Sequence, residues 1–425
     1  MTSPRNTVHI AELSIEDAVA RRARVSTDPI VYERVRMIIE RVRREGPEGL
    51  RAIAASLGDP EPELLDRAAM QRIASEAPPE VIALFERTAH RVRAVAELQT
   101  PAQRTTSITQ SGARTTLRTL PVERAACYAP AGRFPLVSSV IMTVVPAKVA
   151  GVERTIVVSP SRSPLMIAAA LTAGADAYAL LGGAQAVAAA AFGVEPMERA
   201  DVFVGPGNAY VAEAKRQLYG TIGVEGIAGP SEVCVVSDAD SNPELVAADL
   251  LAQAEHDPQA EAILLLPTGV DAQPILDAIT HQLETLDTAQ VAAESLRARG
   301  AIIRFTREAD LPALIDRLAP EHLALHLPIE RARELAAHVR HAGAIFIGEA
   351  AAEALGDYGA GPNHTLPTGA TARFQQGLSP MAFLRQRAEL EVTEPDEALL
   401  SDVAAMAALE GLPAHRLAAN LRSPS

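Results

Sequence analysis

The sequence predicts an α/β protein built on open, doubly wound parallel sheets, and three observations carry that expectation. Short β-rich runs alternate with Ala-rich helical stretches through most of the chain, the pattern of parallel β-α-β units. Glycine turns stand at the ends of several runs, where open α/β sheets bind ligands. Aromatics are only 3% of 425 residues and Trp is absent, so Ala, Val, Leu and Ile must fill the cores, as where helices pack closely on parallel strands. At roughly 150 residues per domain, this length predicts two to three domains.

The elements follow in order. Ser14-Ile-Glu-Asp17 is a capping-box pattern, and 30–56 and 81–98 carry apolar residues at three- and four-residue intervals, so the first 120 residues read mostly as helix. Strands are expected at 114–120, 124–129, 154–159, 177–181, 201–204 and 232–237, separated by helices such as 138–151, 164–174 and 184–192. A second series follows: helix 242–255, strand 261–266, helix 272–285, strand 300–305, helix 309–318 and strand 343–347. Two α/β domains are expected, joined near Gly229-Pro230. Beyond 350 the sequence is loop-rich, and 396–421 reads as helices separated by Gly411-Leu-Pro413. That tail is too short to hold its own core, so it is expected to pack on something else, such as another subunit.

Composition excludes several functions. A net charge of −14, from 39 basic and 53 acidic side chains, repels phosphate backbones and anionic lipid. The Arg-rich stretch from Arg21 to Arg44 is interleaved with Glu33, Glu40 and Glu45 at helical spacing and reads as a solvated, ion-paired face. Cys127 and Cys234 are too few for a disulfide framework or a cysteine metal site, and a reducing cytoplasm is the simplest setting. Apolar stretches are broken well short of the ~18 residues a membrane span needs, and no apolar signal core opens the chain.

Four constellations carry chemistry. Gln253 and His256 are three apart on an expected helix and can grip one ion from one face, although a histidine ending a helix before Asp257-Pro258 is the plainer reading. Asp357, His364 and His415 stand in otherwise unexplained polar contexts. Glu321-His322 pairs two bases of different strength, suited to two distinct proton transfers; the plainer reading is a helix start with Pro320 in its first turn. Gly182-Gly-Ala-Gln185 and Gly205-Pro-Gly-Asn208 follow strands and could receive a phosphate, but neither is the G-x-G-x-x-G fingerprint. Ser231 in Gly229-Pro-Ser231-Glu232 lacks a nucleophile elbow and reads as a hydrogen-bonding group at the domain junction. His326, His338 and His341 read as a polar helix surface rather than a second metal site.

Taken together, these segments resemble the histidinol dehydrogenase family. The resemblance runs through Tyr128–Ser139, Met142–Gly151, Gly182–Ala186, Gly205–Arg216, Ala228–Glu232, Gln253–His256, Ala319–His322, Gly356–Tyr358 with Asn363-His364 and Leu366–Thr368, and Glu410–His415, covering nearly all the chain after residue 100. It implies two incomplete Rossmann-like doubly wound domains with small helical extensions. The expected division is an N-terminal helical arm 1–25, a discontinuous first domain 26–120 and 233–372, a cofactor-binding second domain 121–232, and a dimerisation tail 373–425. The resemblance further implies a zinc ion held by Gln253, His256, Asp357 and His415, and NAD contacts from Tyr128, Gln185 and Asn208. It makes His322 and Glu321 the proton-transfer pair, with Ser231, His364 and Glu410 lining a substrate pocket that the zinc ligands and His322 also face. A homodimer is implied in which Glu410 and His415 serve the neighbour's site. The implied reaction takes L-histidinol to L-histidine through the aldehyde with two NAD, a step of histidine biosynthesis. Ala131, Val137 and the stretch Leu218–Ile227 depart from the family pattern. The last is closer to relatives acting on other small hydroxyl compounds, so the alternative expectation is the same chemistry on another polar alcohol or a sulfonated propanediol.

Overall fold

The protein is described by a computed structural model over residues 9–21, 28–131 and 136–422. The flanks of the 1–25 arm and residues 132–135 of the Tyr128–Ser139 stretch lie outside the described residues. Two six-stranded sheets and one three-stranded sheet form the framework.

The first sheet runs Glu63–Leu65, Ala177–Leu180, Arg154–Ser159, Arg124–Tyr128, Val202–Val204, Gly223–Val224, parallel except for the first strand. Its strands are apolar on both faces because helices cover both. One face packs on Pro79–Leu98, Val137–Ala150 and Pro164–Ala173 through a core that includes Phe85, Ile141 and Met166. The other packs on Pro29–Leu57, Gly183–Phe192 and Ala209–Leu218 around Leu50, Val187 and Phe203. The second sheet runs Ala11–Glu12, Ala301–Phe305, Glu261–Pro267, Glu232–Ser237, His322–His326, Ala344–Ile347, all parallel. Helices cover both of its faces too, with Pro243–Ala254 on one and Leu311–Leu318 on the other. In each sheet the strand order reverses beside a central strand, Arg124–Tyr128 in the first and Glu232–Ser237 in the second.

The third sheet is antiparallel. Thr105–Gln110 and Ala113–Pro121 form a hairpin through Ser111-Gly112, both at positive φ, and Leu384–Val392 pairs along the whole of Ala113–Pro121. Ser14 caps the helix Ile15–Arg21, accepting from the Asp17 amide at 3.0 Å, and Arg36–Glu33 and Arg41–Glu45 pair on the exposed face of Pro29–Leu57. Among the described residues no helix is long and apolar enough to cross a membrane.

Two expectations are corrected. The helices between Pro29 and Leu98, with the strand Glu63–Leu65, pack on the first sheet, whereas the sequence reading grouped 26–120 with residues 233–372. Helix periodicity shows which face is buried but not against which sheet. Residues 373–425 are also not wholly helical, because Leu384–Val392 is a strand whose side chains are mostly exposed and whose alternation is mostly polar. Phe383 roots that strand in the first sheet's core, fully buried, with its carbonyl accepting from the Val122 amide at 2.9 Å. Phe383→Ala is expected to lower unfolding free energy by about 3–5 kcal/mol in urea denaturation; a loss under about 1 kcal/mol would mean that the site collapses without a cavity.

Candidate active site

His322 opens the strand His322–His326 because Ala319, at φ +45, ends the preceding helix and turns the chain into extended backbone. The reading of Pro320-Glu321 as a helix start is therefore corrected: the two residues lead into the buried parallel strand His322–His326. Register places His322 beside Val233 at the amino edge of the second sheet, so the neighbouring Glu232 carbonyl stands 3.2 Å from His322 Nδ1. A carbonyl only accepts, so Nδ1 carries the proton. Nε2 is buried, lacks a hydrogen-bond partner and lies 3.9 Å from Asp357 Oδ1. The same arrangement recurs at His256, whose Nδ1 faces the Ala252 carbonyl at 2.8 Å, and at His364, whose Nδ1 faces the Asp357 carbonyl at 3.2 Å. Three rings thus have their tautomers set by backbone carbonyls, with Nε2 as the basic atom.

Four acidic side chains crowd this imidazole. Glu321 and Glu353 approach Nδ1 at 3.8 and 3.6 Å, Asp357 approaches Nε2, and Glu232 adjoins Glu321, whose Oε2 accepts from the Glu232 amide at 2.8 Å. Gln253, from the helix Pro243–Ala254, has its side-chain amide 3.2 Å from the Glu232 carbonyl, Glu353 Oε1 and His322 Nδ1. Burial sets the electrostatics. It pushes the Glu321 and Glu353 carboxyls well above the usual range, helped by neighbouring carboxylates, and raises Asp357 against the pull of His364 and His256. Burial also lowers His322 to about 3, keeping the ring neutral, and lowers His364.

The structure brings together Glu321, His322, Gln253, His256, Asp357 and His364. Ser231 adjoins through Glu232, and its carbonyl accepts from the Glu261 amide at 2.9 Å. Glu410 and His415 are not brought in: both are exposed, Glu410 just past the helix Glu397–Leu409 and His415 on its partner Pro413–Asn420, and among the described residues no hydrogen bond or ion pair links them to His322. Nor, among the described residues, do three His, Cys, Asp or Glu side chains form a metal-holding group within one chain. His326 is corrected as well. It is buried on its strand with Nε2 2.8 Å from Asp249 Oδ2, while His338 is exposed at the end of the helix Ile329–His338. Sequence reasoning missed Glu232 and Glu353. The signal for Glu353 was its spacing of four from Asp357 on the helix Glu353–Tyr358; for Glu232, a charge opening a fully buried strand.

Tyr128, Gln185 and Asn208 all lie at the carboxyl edge of the first sheet, with Tyr128 and Asn208 flanking the point where strand order reverses. The Tyr128 hydroxyl accepts from the Gly183 amide at 3.3 Å. Gln185 is buried, donates to Asp59 at 3.1 Å and keeps an unpartnered Oε1. Asn208 Oδ1 caps the next helix at the Tyr210 and Val211 amides, leaving Nδ2 as the donor it can present. The segment after Asp357 bridges the two units: Asn363 donates to the Met142 carbonyl at 2.7 Å and Arg91 to the Gly359 carbonyl.

Comparison with known proteins adds a family. The sequence pattern described as histidinol dehydrogenase matches residues 20–423. Histidinol dehydrogenase of Caulobacter vibrioides is 44% identical over 355 residues, 83% of this chain and 82% of that protein. That of Gluconobacter oxydans is 41% identical over 426 residues, 97% of each. The crystal structure of histidinol dehydrogenase from Elizabethkingia anophelis superposes with a TM-score of 0.89 over 99% of both chains at 28% identity.

Gly356 tests the packing of the site. A Cβ there would meet the Phe346 ring at 2.8 Å, and that ring lies 5.9 Å from the His322 ring. Gly356→Ala should displace the helix carrying Glu353 and Asp357 and lower kcat about 10- to 100-fold with a modest change in melting temperature; unchanged kcat would show that the helix has room to move.

Proposed function

We propose, from the premise that this chain belongs to the histidinol dehydrogenase family and is an oxidoreductase, that it converts L-histidinol to L-histidine through L-histidinaldehyde, using zinc and two NAD in turn. The observation that carries the reading is the neutral, buried His322 with its basic Nε2 unpartnered beside Glu321, neighboured by His256, His364 and Asp357. Relatives at 37% to 46% identity carry the histidinol dehydrogenase name, which argues against the alternative of another small alcohol or a sulfonated propanediol.

The donor chemistry fits zinc: an imidazole whose Nδ1 is tied to a carbonyl, a buried carboxylate and an amide. Gln253, His256 and Asp357, completed by His415, would hold the ion, which supplies Lewis-acid anchoring of the substrate's imidazole and amino nitrogens. Tyr128, Gln185 and Asn208 would hold NAD, which supplies the hydride acceptor; the unpartnered Gln185 Oε1 suits a cofactor hydroxyl or amide donor. His322 Nε2 takes the alcohol proton as hydride leaves the carbinol carbon. Glu321 then takes a proton from water as its oxygen bonds to the aldehyde carbon, and a second hydride departs from the hydrate. Ser231, His364 and Glu410 line the substrate pocket and orient it.

The chain is further proposed to act as a homodimer, with Glu410 and His415 completing the neighbour's site. The tail supports this by leaving Met406, Leu409, Leu417 and Leu421 exposed around the same two residues.

Two experiments decide. Zinc-loaded enzyme with excess NAD should yield two NADH per L-histidinol; one would mean that the reaction stops at the aldehyde, and none that histidinol is not the substrate. His322→Ala and His415→Ala should each lose at least about 100-fold in kcat. Mixed and allowed to exchange subunits, the two should regain about one quarter of wild-type activity, since hybrid dimers hold one intact site. No recovery would place both residues in the same chain's site.

A further inference from the structure

Lys215 and Glu225 form a buried ion pair that the chemistry above does not use. Lys215 lies on the helix Ala209–Leu218 and Glu225 follows the edge strand Gly223–Val224, with side chains 3% and 9% exposed. Lys215 Nζ donates to both Glu225 oxygens, at 2.8 and 3.0 Å, and to the Gly205 carbonyl at 2.6 Å. Glu225 Oε1 accepts from the Gly205 amide at 2.6 Å. Both polar groups of one glycine are therefore held by the pair.

That glycine has no freedom to be anything else. Gly205 sits at φ +120, and a Cβ on it would collide with the Tyr128 carbonyl. A second path reaches Tyr128 through Phe203, whose ring lies 5.9 Å from Nζ and 5.5 Å from the Tyr128 ring. Glu225 also begins the segment that crosses to the second sheet, ending at Ser231 and at Glu232, whose carbonyl faces His322. The pair thus holds the backbone at Gly205, between Tyr128 and Asn208, neighbours Tyr128 through Phe203, and begins the chain leading to the catalytic edge.

Burying two charges is costly, and an apolar pair of similar volume often holds a fold as well or better. The surrounding interface is rich in Ala and Val, so packing alone does not call for ions here. What charged groups add is directional grip on backbone dipoles. We propose that Lys215 and Glu225 are positioning residues for the cofactor, fixing Gly205 so that Tyr128 and Asn208 stand at the separation the dinucleotide needs. The proposal rests on the reading of this crevice as the NAD site.

The test compares zinc-loaded wild-type enzyme with the neutral double variant Lys215→Met/Glu225→Gln, with Glu225→Asp, which keeps both charges but withdraws the carboxylate by one methylene, and with Asn208→Ala. NAD and histidinol affinities are measured by calorimetry and melting temperature by scanning calorimetry. The double variant should raise the NAD Kd about tenfold or more while the histidinol Kd stays within about twofold. Glu225→Asp should move the NAD Kd in the same direction with melting unchanged. An unchanged NAD Kd in the double variant while Asn208→Ala raises it overturns the proposal. Unchanged NAD affinity in every variant, Asn208→Ala included, overturns the cofactor reading itself. Loss of both affinities together with the melting transition shows a purely structural pair and also overturns the proposal.

Discussion

A neutral imidazole buried among carboxyl groups is the constraint on which the rest of this molecule depends. Each of Glu232, Glu321, Glu353 and Asp357 loses hydration near His322, and each has to be held by something more rigid than a loop. The parallel register supplies that rigidity. Glu232 and His322 open adjacent strands, and Gln253 reaches them from the helix packed over the sheet. Asp357 and Glu353 come from a short helix seated on Phe346. The cluster is a polar inclusion in an Ala-, Val- and Leu-rich framework that could not tolerate it without fixed partners.

The two parallel sheets are used at opposite edges. Tyr128, Gln185 and Asn208 stand at the carboxyl edge of the first, where helix amino ends favour phosphate groups. Glu321 and His322 stand at the amino edge of the second, where the general rule places no ligand. The chain between Glu225 and Glu232 joins these edges. That arrangement lets one fold plan, used twice in succession, connect the crevice proposed for NAD to the proposed proton-transfer cluster through a single short segment.

Much of this was legible in the sequence. The strands 154–159 and 232–237 and the helix 164–174 agree with the structure to within a residue, because fully buried strands and Ala-rich helices leave strong local patterns. The strand Leu384–Val392 was not legible: its side chains are mostly polar and exposed, and it is a strand because Ala113–Pro121 offers it an edge. Glu321-His322 was found as a pair but its backbone state was not, since a left-handed Ala319 leaves no compositional trace. Glu353 escaped notice because a carboxyl on a short helix looks like any solvated acid until His322 and Gln253 stand against it. Glu410 entered through family resemblance alone and His415 only as an isolated polar residue until that resemblance gave it a role, and a single chain leaves both exposed on the tail.

The three-stranded sheet has a consequence for biosynthesis of the polypeptide. Arg118 and its partner Glu389 are 271 residues apart in the chain. At a translation rate of about 5–20 residues per second, the hairpin emerges roughly 15–50 seconds before the strand that completes it. During that interval the edge of Ala113–Pro121 facing away from Thr105–Gln110 offers the unpaired amides and carbonyls of alternate residues to any nascent neighbour. The hairpin's own mostly polar, Thr-rich sequence is what keeps that edge from recruiting the wrong strand: it lacks the apolar face that would make mispairing stick. The same weakness of pattern that hid Thr105–Gln110 and Leu384–Val392 from sequence reading, though not the strand between them, protects the sheet on the ribosome.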